Sequence, residues 1–310
     1  MSGLNPNNVS DLLERFHPGS TSLAEALGTL TPLDLADITD QEEFYLKRAL
    51  SFGKGTPERL RMLIGALEAT SLEGSDNPER IRALCRRALA SEEAPEIPAV
   101  AAVCAYPAFI ETAREALAGS RVQVATVAGG FPDGQALTES KIAEVRACLR
   151  AGAQELDIPL NRGAFLEDRL GAVYAELVAL REAAENATLK VILETCDLPD
   201  EQAVGRAGLL AALAGADFLQ TSTGKGADGA TLRDVIVMTD VIAQFAARTG
   251  RFVGLKLSGG VGVELALAAA AAVEERLGLE ALGSARFRIG DSSLLEGLTA
   301  RLREVQGYLA

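Results

Sequence analysis

The chain has 310 residues, of which 48% are apolar and 24% are charged, and its formal net charge is -13. This length fits an α/β barrel, a fold that takes about 250 residues as one unit. The acidic balance argues against nucleic acid and anionic membranes as partners, because both need a basic protein face. No apolar run reaches the roughly 20 residues of a membrane span, and the polar N-terminus lacks a secretory pattern. We therefore expect a cytoplasmic protein.

The histidine and cysteine contents limit the chemistry that the chain can support. His17 is the only histidine, so a His-rich zinc site cannot form within one chain, and a Ser-His-Asp triad would depend on this one peripheral residue. The cysteines have no Cys-x-x-Cys spacing and are expected to be separate buried thiols: Cys85, Cys104, Cys148 and Cys196. Any acid–base catalysis would then depend on carboxylates, lysines, hydroxyls or water. We expect no metal and no cofactor.

Residues 1–60 form the first predicted unit, a helical N-terminal extension. Apolar residues at helical spacing occur in three stretches: residues 23–27, 32–36 and 41–50. The extension carries no catalytic motif, so we predict that it serves packing or oligomerisation.

Residues 61–310 form the second predicted unit, in which short apolar strands alternate with longer helical patterns. The predicted strands are residues 63–69, 99–104, 122–128, 155–160, 189–195, 217–222, 252–258 and 287–290. Eight strand–helix units in succession predict a TIM (β/α)8 barrel, with a doubly wound sheet as the alternative. Catalytic residues of such a barrel lie at the C-terminal ends of the strands.

The predicted fourth and seventh strands carry charged residues at positions that should be buried. Glu155 and Asp157 share one face of strand four, and Lys256 lies at the centre of the apolar strand seven. Burying these charges is costly unless they are paired. We interpret Lys256 and Asp157 as site residues; a carboxylate–lysine network that only supports the fold is the alternative.

Three loops carry features that favour anion binding. The predicted sixth strand contains Gln220 and runs into Thr223-Gly224-Lys225, and strand seven is followed by Gly259-Gly260. Ser292 and Ser293 open the last predicted helix, whose N-terminus favours anions. Glycines let backbone N–H groups approach an oxyanion closely. Helix capping alone is the alternative for the two serines.

Together these segments resemble the deoxyribose-phosphate aldolases, which are class I aldolases, over roughly residues 60–308. The similar runs are residues 67–72, 103–107, 125–132, 155–162, 189–195, 216–226, 253–261 and 287–295. The resemblance implies a strand-six lysine that forms a Schiff base, a strand-seven lysine that lowers the pKa of that amine, and a strand-four aspartate that relays protons. Gln220 occupies the first position, and Lys256 and Asp157 occupy the second and third. Cys104 matches a position near the aldehyde.

The resemblance also implies a ligand: a small aldehyde or a sugar phosphate, bound by a protein that can also form a homo-oligomer. Its phosphate contacts would fall to the loop residues Thr223, Gly224, Lys225, Gly259, Gly260, Ser292 and Ser293. Two further segments depart from the family pattern: Leu257-Ser258 replaces Pro-Ala, and Asp291 replaces a small residue. We hypothesise that the Asp291 carboxylate weakens phosphate binding, or that the ligand is unphosphorylated there.

Gln220 is the departure that matters most, because an amide nitrogen cannot condense with a carbonyl. Four interpretations remain open. In the first, the glutamine is an engineered change in an ordinary aldolase. In the second, Lys256 forms the imine instead, and in the third, Lys256 and Asp157 act as acid and base without an imine. In the fourth, the protein is a non-catalytic homologue that binds a metabolite or a partner. An enzyme of aldol carbon–carbon chemistry is the leading prediction.

Overall fold

The computed structural model describes residues 9–17, 22–31, 33–49, 56–90 and 97–309. Parts of the predicted extension, including residues 1–8, 32 and 50–55, lie outside the described residues. The described part of the extension is helical: α1 (Val9–Phe16), α2 (Leu23–Gly28), α3 (Leu35–Ala49) and α4 (Thr56–Gly65). Helix α3 buries Ile38 and Tyr45, and Arg59 of α4 forms an ion pair with Glu274 on the outer face of the barrel.

The strands that follow form one closed parallel sheet, in sequence order. They are β1 (Glu68–Ser71), β2 (Ala102–Ala105), β3 (Gln123–Val127), β4 (Glu155–Pro159), β5 (Thr188–Ile192), β6 (Phe218–Gln220), β7 (Gly254–Ser258) and β8 (Phe287–Gly290). A parallel bridge between Leu67 and Ile289 joins the two ends of the sheet. This closure confirms the predicted (β/α)8 barrel.

The remaining helices surround the barrel. They are α5 (Pro78–Ala90), α6 (Ile110–Ala116), α7 (Thr138–Ala151), α8 (Arg162–Leu166), α9 (Leu170–Ala183), α10 (Glu201–Leu213), α11 (Leu232–Thr249), α12 (Val263–Leu277) and α13 (Leu294–Leu309), with short 3-10 helices at Pro107–Phe109, Thr195–Asp197 and Leu279–Leu282. In the described residues no helix is long and apolar enough to cross a membrane.

The predicted start of the first strand was wrong. Residues 63–65 end helix α4, and β1 begins only at Glu68. Leu60, Leu63 and Ile64 are all buried, and their i, i+3, i+4 spacing is that of one face of a helix. A short apolar run does not distinguish a strand from a buried helix end.

The residues packed on the outer side of the sheet differ in polarity from those packed inside the barrel. The apolar core lies between the sheet and the surrounding helices, where residues such as Leu156, Leu255 and Ile289 are buried. The barrel interior instead holds charged side chains and a small apolar group around Cys104 and Val127. Because strand residues alternate between the two sides, the charged residues of several strands meet inside the barrel.

Candidate active site

A cavity of about 350 Å³ opens at the C-terminal ends of the strands, where the sequence predicts the site. It brings together all the predicted site residues: Cys104, Asp157, Gln220, Thr223, Gly224, Lys225, Lys256, Gly259, Gly260, Ser292 and Ser293. A larger cavity of about 570 Å³ lies between α2, α3 and helices α10 and α11, and its described lining contains no lysine or cysteine. The chemistry therefore points to the smaller cavity.

Asp157 and Lys256, which line this cavity, belong to a group of six buried charged side chains inside the barrel that we call the barrel charge cluster. Its members are Glu68, Glu155, Asp157, Lys190, Lys256 and Arg288. Neighbouring strands place them side by side, because Asp157 is in register with Lys190 and Lys256 is in register with Arg288. Three carboxylates face three cations, so the cluster is neutral as a whole. Burial of these charges is tolerable because each is paired.

Lys256 is held in the cluster as an ammonium ion. Its Nζ lies 2.5 Å from Oδ2 of Asp157 and also contacts Glu68, and the residue is only 2% exposed. Burial lowers the pKa of Lys256, but the carboxylates of Asp157 and Glu68 outweigh that effect and raise the pKa above its ordinary value. The protonated form donates hydrogen bonds and has no lone pair with which to attack a carbonyl.

Lys190 and Arg288 pair with the remaining carboxylate oxygens. Lys190 Nζ lies 2.7 Å from Glu155, 2.9 Å from Asp157 and 3.1 Å from Glu68. Arg288 binds both oxygens of Glu155, each at 2.9 Å. Burial lowers the pKa of Lys190, but its three carboxylate neighbours hold it well above the ordinary value.

Glu68 and Glu155 are held ionised by the same contacts. Burial raises the pKa of each, but Lys190, Lys256 and Arg288 around Glu68, and Lys190 and Arg288 around Glu155, lower the pKa of both groups below the ordinary value. The sequence analysis missed Glu68, Lys190 and Arg288 as members of the site. Lys190 and Arg288 could have been recognised, because each is a charged residue that lies between apolar strand residues, as Lys256 does.

Gln220 lies beside Lys256, and the two residues are in register across β6 and β7. Its Nε2 donates hydrogen bonds to the carbonyl of Ser222 at 3.1 Å and to Ser258 Oγ at 3.0 Å. Its Oε1 is buried and has no hydrogen-bond partner among the described residues. A buried acceptor of this kind at a cavity wall can receive a hydrogen bond from a ligand hydroxyl.

Ser258 explains how the glutamine is accommodated. Its hydroxyl donates to the Ser222 carbonyl at 2.5 Å and so presents a lone pair to the Gln220 amide. Two departures from the family pattern that look independent in the sequence are thus joined by one hydrogen bond. The contact depends on cross-strand register, which the sequence alone does not display.

Cys104 lines the cavity as a neutral thiol. It is buried in β2, and burial together with the nearby Asp157 carboxylate raises the pKa of the thiol far above its ordinary value. A thiol in this state is a poor nucleophile. Cys104 therefore contributes shape and a weakly polar surface to the cavity.

Glu194 fixes the loop after β6, and the sequence analysis missed it. The residue is buried and adopts a positive φ of 52°, a strained conformation for a side chain larger than glycine. Its carboxylate accepts hydrogen bonds from the hydroxyl and the N–H of Thr223. The Thr223 hydroxyl in turn accepts the N–H of Lys225 at 3.0 Å, which positions that lysine at the mouth of the cavity.

The mouth of the cavity contains polar groups that already have partners. Ser292 Oγ accepts the N–H of Thr70 at 2.8 Å and donates to the Thr70 carbonyl. Ser293 donates from its N–H and its hydroxyl to Asp291 Oδ1, at 2.8 and 2.7 Å. Lys225 Nζ lies 3.2 Å from Glu73. Among the described residues, no cluster of histidine, cysteine or carboxylate side chains is arranged to hold a metal ion.

Comparisons with known proteins match this chain to a family of aldolases. A family model described as DeoC/LacD family aldolase matches residues 61–293. The deoxyribose-phosphate aldolase of Mus musculus is 38% identical over 248 residues, which cover 76% of this chain and 78% of the relative. That of Deinococcus radiodurans is 42% identical over 199 residues, covering 64% and 83%.

Solved structures show the same architecture. The deoxyribose phosphate aldolase of Aeropyrum pernix, described as a tetramer, is 29% identical with a TM-score of 0.60, and the match covers 87% of this chain and all of that one. A Toxoplasma gondii protein has a TM-score of 0.71 at 24% identity, covering 82% and 98%, and so supports the fold alone.

Proposed function

The chain belongs to the DeoC/LacD aldolase family, and we propose that it catalyses aldol cleavage or addition on a small hydroxy-carbonyl compound without an imine at residue 220. The observation that carries this proposal is the state of Lys256. It lines the cavity as an ammonium ion held between Asp157 and Glu68. A cation fixed at a cavity wall stabilises negative charge that develops on a bound oxygen.

Gln220 supports a non-covalent mode of binding. The lone pair of its amide nitrogen is delocalised into the C=O, so the nitrogen cannot add to an aldehyde. Its unpartnered Oε1 can accept a hydrogen bond from a ligand hydroxyl instead. Gln220 thus orients the ligand where an amine at the same position would bind it covalently.

The cleavage step then balances with the groups present. Asp157 takes the proton of the β-hydroxyl, the C–C bond breaks, and its electron pair forms an enolate. The aldehyde fragment leaves, and the enolate oxygen accepts hydrogen bonds from the Lys256 ammonium. Asp157 then returns its proton to the enolate carbon, which releases the second carbonyl product and restores the Asp157 carboxylate. Addition runs through the same steps in reverse.

A second candidate function is an aldolase in which Lys256 itself forms the imine. Lys256 is the amine at the base of the cavity, and a protonated imine would keep a positive charge between Glu68 and Asp157. The charge balance of the cluster would therefore survive the reaction. The obstacle is the raised pKa of Lys256, which keeps the neutral amine scarce near neutral pH.

Borohydride trapping combined with a turnover assay separates these functions. Wild-type protein is incubated with deoxyribose, deoxyribose 5-phosphate or acetaldehyde, treated with borohydride, and examined by intact and peptide mass, while aldehyde release is measured in parallel. The proposal expects turnover without an adduct. An adduct on Lys256, lost in Lys256→Met, would establish the second candidate. Binding without turnover or adduct would refute both and leave a ligand-binding protein.

We also propose that the chain self-associates through its N-terminal extension. Leu35 and Leu46 are exposed apolar side chains on one side of α3, and the Aeropyrum pernix relative is described as a tetramer. A second copy of the chain is the partner that would cover this face. Light scattering after size exclusion should give a mass above that of one chain, and Leu46→Ser should reduce it.

A further inference from the structure

The Asp291 carboxylate lies just before the N-terminus of helix α13, an end that favours negative groups. Two donors there, the N–H and the hydroxyl of Ser293, point at Asp291 Oδ1. Donors at a helix N-terminus favour a negative group. In this chain the negative group is supplied by the protein itself, so these donors are no longer free for a ligand.

The other serine at the mouth is also engaged. Ser292 Oγ bridges to the N–H and the carbonyl of Thr70, which lies on β1. This bridge ties the start of α13 to the first strand. A ligand phosphate that recruited Ser292 would have to break both hydrogen bonds.

The charges at the mouth do not favour a dianion. Asp291 and Glu73 contribute two carboxylates to the cavity lining, and Lys225 contributes one ammonium, which already lies 3.2 Å from Glu73. The Lys225–Glu73 pair is partly exposed and easily opened. The Asp291 carboxylate is different, because two hydrogen bonds hold it beside the same donors that a phosphate would need.

We infer that the cavity takes an unphosphorylated hydroxy-carbonyl compound and excludes a phosphate group at its mouth. This inference rests on the proposed function and names its substrate class. A ligand hydroxyl can donate to Asp291 and accept from the backbone of Gly259 or Gly260, which line the same end of the cavity. A phosphate dianion can only accept hydrogen bonds, and it meets the carboxylate as a like charge.

Matched ligands and matched variants test the inference. Binding of deoxyribose, deoxyribose 5-phosphate and inorganic phosphate is measured by calorimetry on the wild type and on Asp291→Asn, which keeps a side-chain oxygen to accept from Ser293. Glu264→Gln removes the same charge from the first turn of neighbouring α12, at an exposed site outside the cavity lining. Thermal melting confirms that each variant is folded.

The expected result is that the wild type binds deoxyribose at least as tightly as its phosphate ester and shows no saturable binding of inorganic phosphate. Asp291→Asn should bind the phosphate ester at least about tenfold more tightly, equivalent to about 1.4 kcal/mol, and should not bind deoxyribose more tightly than the wild type does. Glu264→Gln should leave all three affinities unchanged.

Two results would overturn the inference: wild-type protein that prefers the phosphate ester tenfold or more, or Asp291→Asn with unchanged affinity for it. If neither sugar binds but Asp291→Asn gains inorganic phosphate, exclusion by Asp291 is supported and the proposed function fails. The two failures are therefore distinguishable.

Discussion

Gln220→Lys should convert the cavity into one that forms an imine. The introduced lysine would lie beside Lys256, because residues 220 and 256 are in register on adjacent strands. Those strands are about 4.8 Å apart. Lys256 keeps its proton through its contacts with Asp157 and Glu68, so the introduced amine is the one that gives up its proton.

The size of the effect follows from the spacing of the two nitrogens. Two positive charges about 5 Å apart repel by about 3 kcal/mol at an effective dielectric constant of about 20. Since about 1.4 kcal/mol corresponds to one pKa unit, the introduced amine should titrate about two units below the ordinary lysine value of about 10.4. At pH 8 a substantial fraction of it would be neutral and able to attack an aldehyde.

Borohydride trapping with acetaldehyde, read by peptide mass over time, measures this directly. Acetaldehyde carries no phosphate, so Asp291 does not affect the comparison. Gln220→Met is the control for lost hydrogen bonds at residue 220, and it should not trap. Gln220→Lys combined with Lys256→Met removes the repelling charge, so trapping at pH 7 should slow by about a hundredfold, the equivalent of two pKa units.

Three results would refute this reasoning. Gln220→Lys does not trap although the protein is folded; the adduct is found on Lys256; or Lys256→Met leaves the trapping rate of Gln220→Lys unchanged. The last result would show that the neighbouring ammonium does not control the introduced amine.

Three further predictions concern the stability of the barrel. Lys190→Met leaves buried carboxylates without a counter-charge and should reduce the free energy of unfolding by about 3–5 kcal/mol; a loss below about 1 kcal/mol in urea unfolding would contradict the pairing. Glu68 and Glu155 have lowered pKa values in the folded state, so their contribution is complete above the unfolded value of about 4.3 and is lost as pH falls below it. Urea midpoints should drop steeply below about pH 4, and a flat profile there would exclude this linkage. Gly254→Ala places a methyl group about 2.5 Å from the Phe218 ring and should cost more than about 1 kcal/mol; an unchanged melting temperature would show that the ring moves freely.

Much of the fold could be predicted from the sequence, because strand and helix periods are local properties. The eight strands in succession identified the barrel, and only boundaries such as the start of β1 at Glu68 were misplaced. Helix α4 ends in apolar residues that could equally belong to a strand. Packing against neighbouring elements, which the local pattern does not contain, decides such boundaries.

The site was predictable only in part. Lys256 and Asp157 were found because a charge inside an apolar strand is a local signal, and Arg288 and Lys190 carried the same signal without being recognised. Pairing partners could not be assigned, since they depend on barrel closure: Lys256 reaches Glu68 from a strand at the opposite end of the sequence. Glu194 was missed because its role depends on an unusual backbone conformation.

The accommodation of Gln220 by Ser258 and Ser222 has a consequence for the history of this cavity. The barrel charge cluster is neutral without any charge at residue 220, and the glutamine is held by groups outside that cluster. The cluster therefore needs no charge at residue 220 for its own neutrality. Glutamine and lysine codons differ by a single base, so one point mutation exchanges the two residues in either direction.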